Sequence, residues 1–163
     1  MYYEMKITNT IKLISAILIC QLAGAIGSLF TYRAIPVWYA SLVKPLFNPP
    51  NRIFGPVWLT LYTLMGISAF IVLSQGWERK EVKTALFIFA GQLVLNSLWS
   101  VIFFGLRSPL FAFVEILVLW VFIVLTIYYF YKISKFAGLI LLPYLLWVSF
   151  AAVLNLSIAI LNA

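Results

Sequence analysis

The chain has 163 residues, 65% of them hydrophobic and only 9% charged, with a mean hydropathy of +1.10. Soluble domains carry about 25% charged residues, so composition excludes a water-exposed globule and places the protein in a bilayer. The 11 Lys and Arg give a net charge of +7. They are scattered over every connector, which excludes a nucleic-acid-binding face and assigns them to orientation in the membrane.

The first apolar stretch, residues 13–30, carries no charge and predicts a membrane helix over about residues 11–30, since ~20 apolar residues span the hydrocarbon core. Its basic flanks and LAGAIGS end resemble a secretory signal. The chain opens at Met1, however, and Cys20 follows Ile19 rather than a small residue, so a retained span is expected over a cleaved leader or a lipoprotein anchor. As the only cysteine, Cys20 forms no internal disulfide. Helical spacing puts Gln21, Gly24, Ala25 and Ser28 on one face, and small residues at this spacing let helices approach closely.

Residues 31–52 are the anomaly of the chain. Connections beyond ~12–15 residues are uncommon in compact proteins and often act as lids or binding loops. Pro36 suits the first turn of a short helix through Val43, and Pro45 ends it, because the residue before a proline avoids helical geometry. Pro49 and Pro50 then force an extended rod. The expectation is a stiff lid carrying Lys44, Pro45, Pro49, Pro50 and Arg52.

Four further spans are predicted over about residues 53–76, 84–105, 109–131 and 137–161, and among them only Glu115 is charged. These runs are too long and too evenly apolar for the ~10-residue alternating strands of a membrane barrel, and no internal repeat suggests an inverted-repeat transporter. On the second span Phe54, Trp58, Tyr62 and Met65 recur as one aromatic face. On the third, Gln92, Asn96, Trp99 and Phe103 form a face with two amides in mid-membrane. The fourth opens with Ser108 and Pro109, an N-cap followed by proline at the first helical position, and presents Phe111, Glu115 and Phe122. An ionisable residue inside a span is a functional candidate, although a carboxylate near a helix start also suits the helix dipole. On the fifth, Tyr144, Trp147, Ala151 and Asn155 share a face, and Pro143 either kinks the helix or sits in its first turns. Trp77, Tyr128, Tyr129 and Tyr131 fall where an interfacial aromatic belt belongs. Lys6, Lys12, Arg79, Lys80, Lys83, Lys132 and Lys135 lie on the N-terminal side, against Arg33, Lys44, Arg52 and Arg107 on the other. That excess predicts a cytoplasmic N-terminus.

Each face has a packing explanation, since Asn and Gln bond neighbouring helices and aromatic stripes fill cores. Together they describe an apolar pocket with a few polar orienting groups, the usual build of a small-molecule site. The expected ligand is flat or rigid and largely apolar, with an anionic or polar edge for Lys44, Arg33 or Arg52 to pair.

The run WYASLVKPLFNPPNRIFGPVWLTLYTLMG from Trp38 to Gly66, with QLVLNSLWS and FFG in the third span and PYLLWVSFAAVLN in the fifth, resembles the translocator protein or tryptophan-rich sensory protein family (TspO/MBR). The similarity covers essentially the whole chain. It implies an all-α integral membrane bundle of five helices, often a homodimer, whose first loop lids a pocket for porphyrins, sterols and synthetic ligands. The family's pocket positions fall on Tyr39, Trp58, Asn96, Trp147 and Ala151, with Tyr62 and Trp99 nearby. An acid on the fourth span also fits, here Glu115 rather than the commoner Asp. Animal members carry a sterol motif late in the fifth span that needs a Tyr followed by Arg or Lys. Here the segment after Leu154 reads NLSIAILNA, so sterol is a minor partner beside membrane lipid. Leu125, Tyr128 and Lys132 satisfy only a loose sterol pattern.

The resemblance therefore implies a membrane receptor, sensor or carrier that takes porphyrin or haem as ligand and needs no cofactor or metal. There is no histidine, the commonest haem axial ligand, so metal-free porphyrin is expected to bind about as well as haem. Some bacterial relatives are thought to promote light-dependent porphyrin breakdown with paired tryptophans, positions filled here by Trp58 and Trp147. Without His or Asp, and with one Cys, Ser-His-Asp chemistry and His-ligated zinc are excluded. A proton-coupled transporter or channel comes third, because such a path prefers several intramembrane charges.

Overall fold

The computed structural model describes residues 2–163, with side chains described from residue 9 onward; Lys6, counted above among the charges of the N-terminal side, lies outside those side chains. Five helical spans, each long and apolar enough to cross a membrane, make up the fold, and no strand occurs among the described residues. The elements are α1 (Tyr2–Ala34), a first π-turn (Ile35–Tyr39), α2 (Asn51–Leu73), α3 (Lys80–Ser100), a second π-turn (Val101–Gly105), α4 (Pro109–Ile133), α5 (Lys135–Leu139) and α6 (Leu142–Leu161). Helices α1 and α2 pack together, α1 also meets α3, and α4 lies against α3 and α6. In lipid every backbone group must be satisfied within the chain, which is why only helices fill these spans.

The connector is shorter than residues 31–52, and no separate helix starts at Pro36. Helix α1 runs on through the first π-turn to Ser41, leaving residues 42–50 non-helical, and Arg52 belongs to the first turn of α2. In a continuous α-helix the Pro36 ring would strike the carbonyl four residues back, and its missing N–H would leave that carbonyl unpaired. Widening to π geometry accommodates the ring, so the helix continues past the proline. The third span ends in the same way, with Leu106 N donating to Val101 O at 2.8 Å.

Pro143 takes the second of its two expected places. It stands in the first turn of α6 and splits the fifth span into α5 and α6. Ser134 caps α5, its hydroxyl accepting from Ala137 N at 3.4 Å.

Helices α1 and α2 approach closely at Gly66. A Cβ added at Gly66 would stand 2.5 Å from the Ile17 Cα, so only glycine lets the two backbones meet there. One large cluster, containing Met65, Phe89, Leu119, Phe130 and Tyr144, fills most of the bundle. A smaller one of Tyr39, Phe103, Ala112, Leu154 and Ile158 lies towards the connector end. Leu22, Phe87, Val94 and Leu146 are exposed and face lipid. Trp77 and Tyr128 sit under the ammonium groups of Lys83 and Lys132, at 5.8 and 4.3 Å, as an interfacial belt requires.

Candidate ligand-binding cavity

Helices α1, α2, α3 and α6, with the two π-turns, surround a cavity of 490 Å³, within the ~300–1,000 Å³ typical of small-molecule sites. Its walls are rings. Trp58 and Tyr62, one turn apart on α2, stack at 5.4 Å between centroids, and Trp58 meets Tyr144 edge-on at 6.3 Å. Phe54 stands edge-on to Trp147 at 5.8 Å, and Trp99 stacks on Phe103 at 5.1 Å. A Cβ at Gly24 would lie 2.3 Å from the Tyr62 ring, so the glycine on α1 leaves the space that this ring occupies. Gln21 pins the same edge, its Nε2 donating to Leu59 O at 2.9 Å and to Thr63 Oγ1 at 3.0 Å.

The polar floor is a chain of hydrogen bonds running one way. Tyr62 OH donates to Asn96 Oδ1, Asn96 Nδ2 donates to Tyr144 OH at 3.0 Å, and Tyr144 OH donates to Gln92 Oε1 at 2.8 Å. Gln92 Nε2 ends the chain on the Met65 sulfur at 3.6 Å. Trp99 Nε1 donates to Asn155 Oδ1 at 3.0 Å, and Asn155 Nδ2 donates to Pro109 O at 2.7 Å. Trp58 and Trp147 differ: both line the cavity, and neither indole N–H has a hydrogen-bond partner among the described residues. The two indole N–H groups thus stay free, while the amides of the floor are already engaged.

Tyr39, Trp58, Tyr62, Asn96, Trp99, Trp147 and Ala151 all line the cavity. Gln92 and Glu115 do not. Gln92 is fully buried, one turn beyond Asn96, as the acceptor for Tyr144. Glu115 is 8% exposed, and neither carboxylate oxygen has a hydrogen-bond partner. Its helix, α4, packs behind α3 and α6, so its buried face never reaches the cavity. Phe111, one turn before Glu115 on the same face of α4, is 71% exposed. Met65 lies beneath the aromatic face of α2, in the core.

Of the connector residues, Lys44, Pro45, Pro49 and Pro50 lie outside the lining, as does Arg52. Lys44 Nζ turns back to donate to Ala40 O at 3.3 Å and Leu42 O at 3.0 Å, 4.8 Å from the Tyr39 ring. The reason is local: a helix end leaves carbonyls unpaired, and a nearby ammonium satisfies them. No charged side chain lines the cavity, so the pairing expected for an anionic ligand edge is not made inside it.

Several lining residues were not among those expected. Leu154 and Ile158 continue the Trp147–Ala151 stripe at helical spacing and were legible by that period. Ile35 and Phe104 were not, because each sits in a π-turn that shifts the face by a residue.

The chain matches the model of the TspO/MBR family over residues 16–161. It is 48% identical over 144 residues to the tryptophan-rich protein TspO of Chlorobaculum tepidum, covering 88% of this chain and 91% of that protein. To the tryptophan-rich protein TspO of Archaeoglobus fulgidus it is 47% identical over 156 residues, with 95% and 99% covered. The translocator protein of Bos taurus is 37% identical over 139 residues, with 85% and 82% covered.

Proposed function

The chain belongs to the TspO/MBR family, and from that premise we propose that it is a membrane receptor, sensor or carrier that binds porphyrins and related apolar tetrapyrroles between its helices. One observation carries this reading: indole and phenol rings line one cavity, and the indole N–H groups of Trp58 and Trp147 in that lining have no hydrogen-bond partner among the described residues. A flat macrocycle gains stacking area against Trp58 and Tyr62, and ring or carbonyl acceptors take the free donors. Carboxylates on the ligand stay at the mouth, where Tyr32 and Asn51 line the cavity and precede Arg33 and Arg52 in the chain. The connector closes that end by bracing its wall. The site needs no cofactor, and a homodimer is the assembly we expect.

The test is a titration of the purified full chain in lipid nanodiscs with metal-free porphyrin, read by absorption shift and tryptophan quenching. Saturable binding that weakens in Trp58→Ala and Trp147→Ala is expected. Unsaturable partitioning, equal in all variants, overturns the reading. The same proposal sets the N-terminus in the cytoplasm, from the charge excess on that side. In a chain with Cys20 replaced, an impermeant thiol reagent on intact cells should label Asn51→Cys and spare Lys80→Cys; the reverse pattern inverts the topology.

The shared cavity of Trp58 and Trp147 also supports a second reading, light-dependent oxidative breakdown of the bound porphyrin. Illumination separates the two.

A further inference from the structure

Residues 42–50 are poor in hydrogen-bonding capacity, because Pro45, Pro49 and Pro50 have no N–H. Most of the bonds they make are local. Asn48 N donates to Pro45 O at 3.0 Å, and Lys44 folds onto Ala40 and Leu42. Among the described residues, Asn162 is the one side chain outside the two adjoining helices that bonds this segment. Val43 N donates to Asn162 Oδ1 at 2.9 Å, and Asn162 Nδ2 donates back to Val43 O at 2.9 Å. The same Nδ2 donates to Ile158 O at 2.8 Å, which seats the carboxamide on the last turn of α6. One side chain thus pairs with both backbone groups of one residue, as a neighbouring strand would.

What the connector holds is cavity wall. Asn48 Oδ1 accepts from Tyr39 OH at 2.8 Å, and Tyr39 lines the cavity. Phe47 packs edge-on against Phe150 at 6.2 Å, and Phe150 lies 5.6 Å from Trp147, which lines it from the other side. Both supports depend on where the connector sits against α6, and the Asn162 carboxamide fixes that place.

We propose that Asn162 is a positioning residue for the cavity: by clamping Val43 it holds the connector in the register that orients Tyr39 and backs Trp147. It touches no ligand itself and acts through those two side chains. The inference rests on the ligand-binding reading above. Opening the clamp loosens the wall, so ligand leaves faster while the spans stay packed.

The experiment uses the full chain in nanodiscs, as wild type, Asn162→Ala, Asn162→Asp, Asn48→Ala and the Asn162→Ala/Asn48→Ala double variant. The first arm needs no ligand. NMR-detected exchange of the Val43 amide should be slow in wild type and about tenfold faster in Asn162→Ala, which removes both bonds. Asn162→Asp keeps the acceptor and should fall between; it also serves if the alanine variant folds poorly. Equal exchange in wild type and Asn162→Ala overturns the clamp. In the second arm, dissociation of metal-free porphyrin should be about three- to tenfold faster in Asn162→Ala. Asn48→Ala should do much the same, and the double variant should add little, because both act through one connector. Unchanged dissociation, or fully additive effects, overturns the positioning role. If wild type binds no porphyrin, the functional reading falls, and ring flipping of Tyr39 decides this one instead: it must speed up in Asn162→Ala, and failure to do so refutes the inference.

Discussion

The two ends of the bundle are built from the same helices, yet one is filled and the other hollow. Towards the α2–α3 turn, Val72, Val82, Ala85, Phe130 and Ala137 are essentially inaccessible, and Ser68 Oγ donates to Ala137 O at 2.6 Å, binding α2 to α5. Towards the connector, α1 and α2 part above the contacts of Gly66 with Ile17 and Gly24 with Tyr62, and rings line the gap. Packing separates the two ends: in the filled one Phe89 and Phe130 interlock with small and branched side chains, whereas in the other indoles and phenols pinned by hydrogen bonds or by one another stand as walls. The hollow end is therefore a construction of rigid rings and two π-turns, and the filled end is what supports it.

Substitutions that break this contrast should separate stability from binding. Phe130→Ala in the filled end removes a fully buried ring that stacks on Phe89 at 5.5 Å. In water such a change costs about 3–5 kcal/mol. In a bilayer the unfolded helices stay in lipid, so the transfer contribution largely drops out and lost packing remains. The expected cost is about 2–3 kcal/mol of bundle stability, measured by denaturation in mixed micelles, with the affinity of the folded fraction little changed. A variant that keeps its stability but loses ligand would place binding in the wrong end.

Trp58→Ala is the converse in the hollow end. It should remove a stacking surface worth about 1–3 kcal/mol of ligand affinity, by analogy with bases stacked on aromatic side chains, while unfolding moves little, because the ring already borders empty space. Asn96→Leu lies on the boundary and should touch both properties. It leaves Tyr62 OH without its acceptor and Tyr144 OH without its donor, at about 1–2 kcal/mol of stability. It should also weaken polar ligands more than hydrocarbons, measured by titration with matched pairs. Equal weakening of both classes would mean the floor supports the walls and recognises nothing.

The contrast was partly legible in the chain. Five apolar runs specify five spans, and the Phe54–Trp58–Tyr62 and Trp147–Ala151 stripes follow from helical period, as does the side of α3 that carries Asn96 and Trp99. What period cannot supply is which helices face one another. Glu115 and Gln92 carry a functional signature in any membrane span, yet α4 stands behind the cavity and Gln92 one turn beneath it. Lys44 reads as a ligand cation because its charge is rare here, but the free carbonyls of the preceding helix end are nearer. A proline within an apolar run reads as a break, and the π-turn that keeps α1 continuous through Pro36 leaves no compositional mark.

The smallest expected change in affinity comes from Trp58→Phe and Trp147→Phe, and it decides what the hollow end is for. Phenylalanine keeps an aromatic face but lacks the indole N–H and is harder to oxidise. Binding should fall by about 0.5–1.5 kcal/mol in each variant, since ring burial survives and edge geometry shifts only slightly. If the cavity only receives or carries tetrapyrrole, illuminated complexes should bleach at the same rate in wild type and both variants at matched occupancy, and no faster than porphyrin beside an unrelated membrane protein. If the paired indoles take part in chemistry, wild type should bleach faster, give a defined product, and lose that excess in either variant. The receptor or carrier reading predicts equal rates, because an apolar site with a few free donors and no charged lining group needs only to bind a macrocycle, not to turn it over.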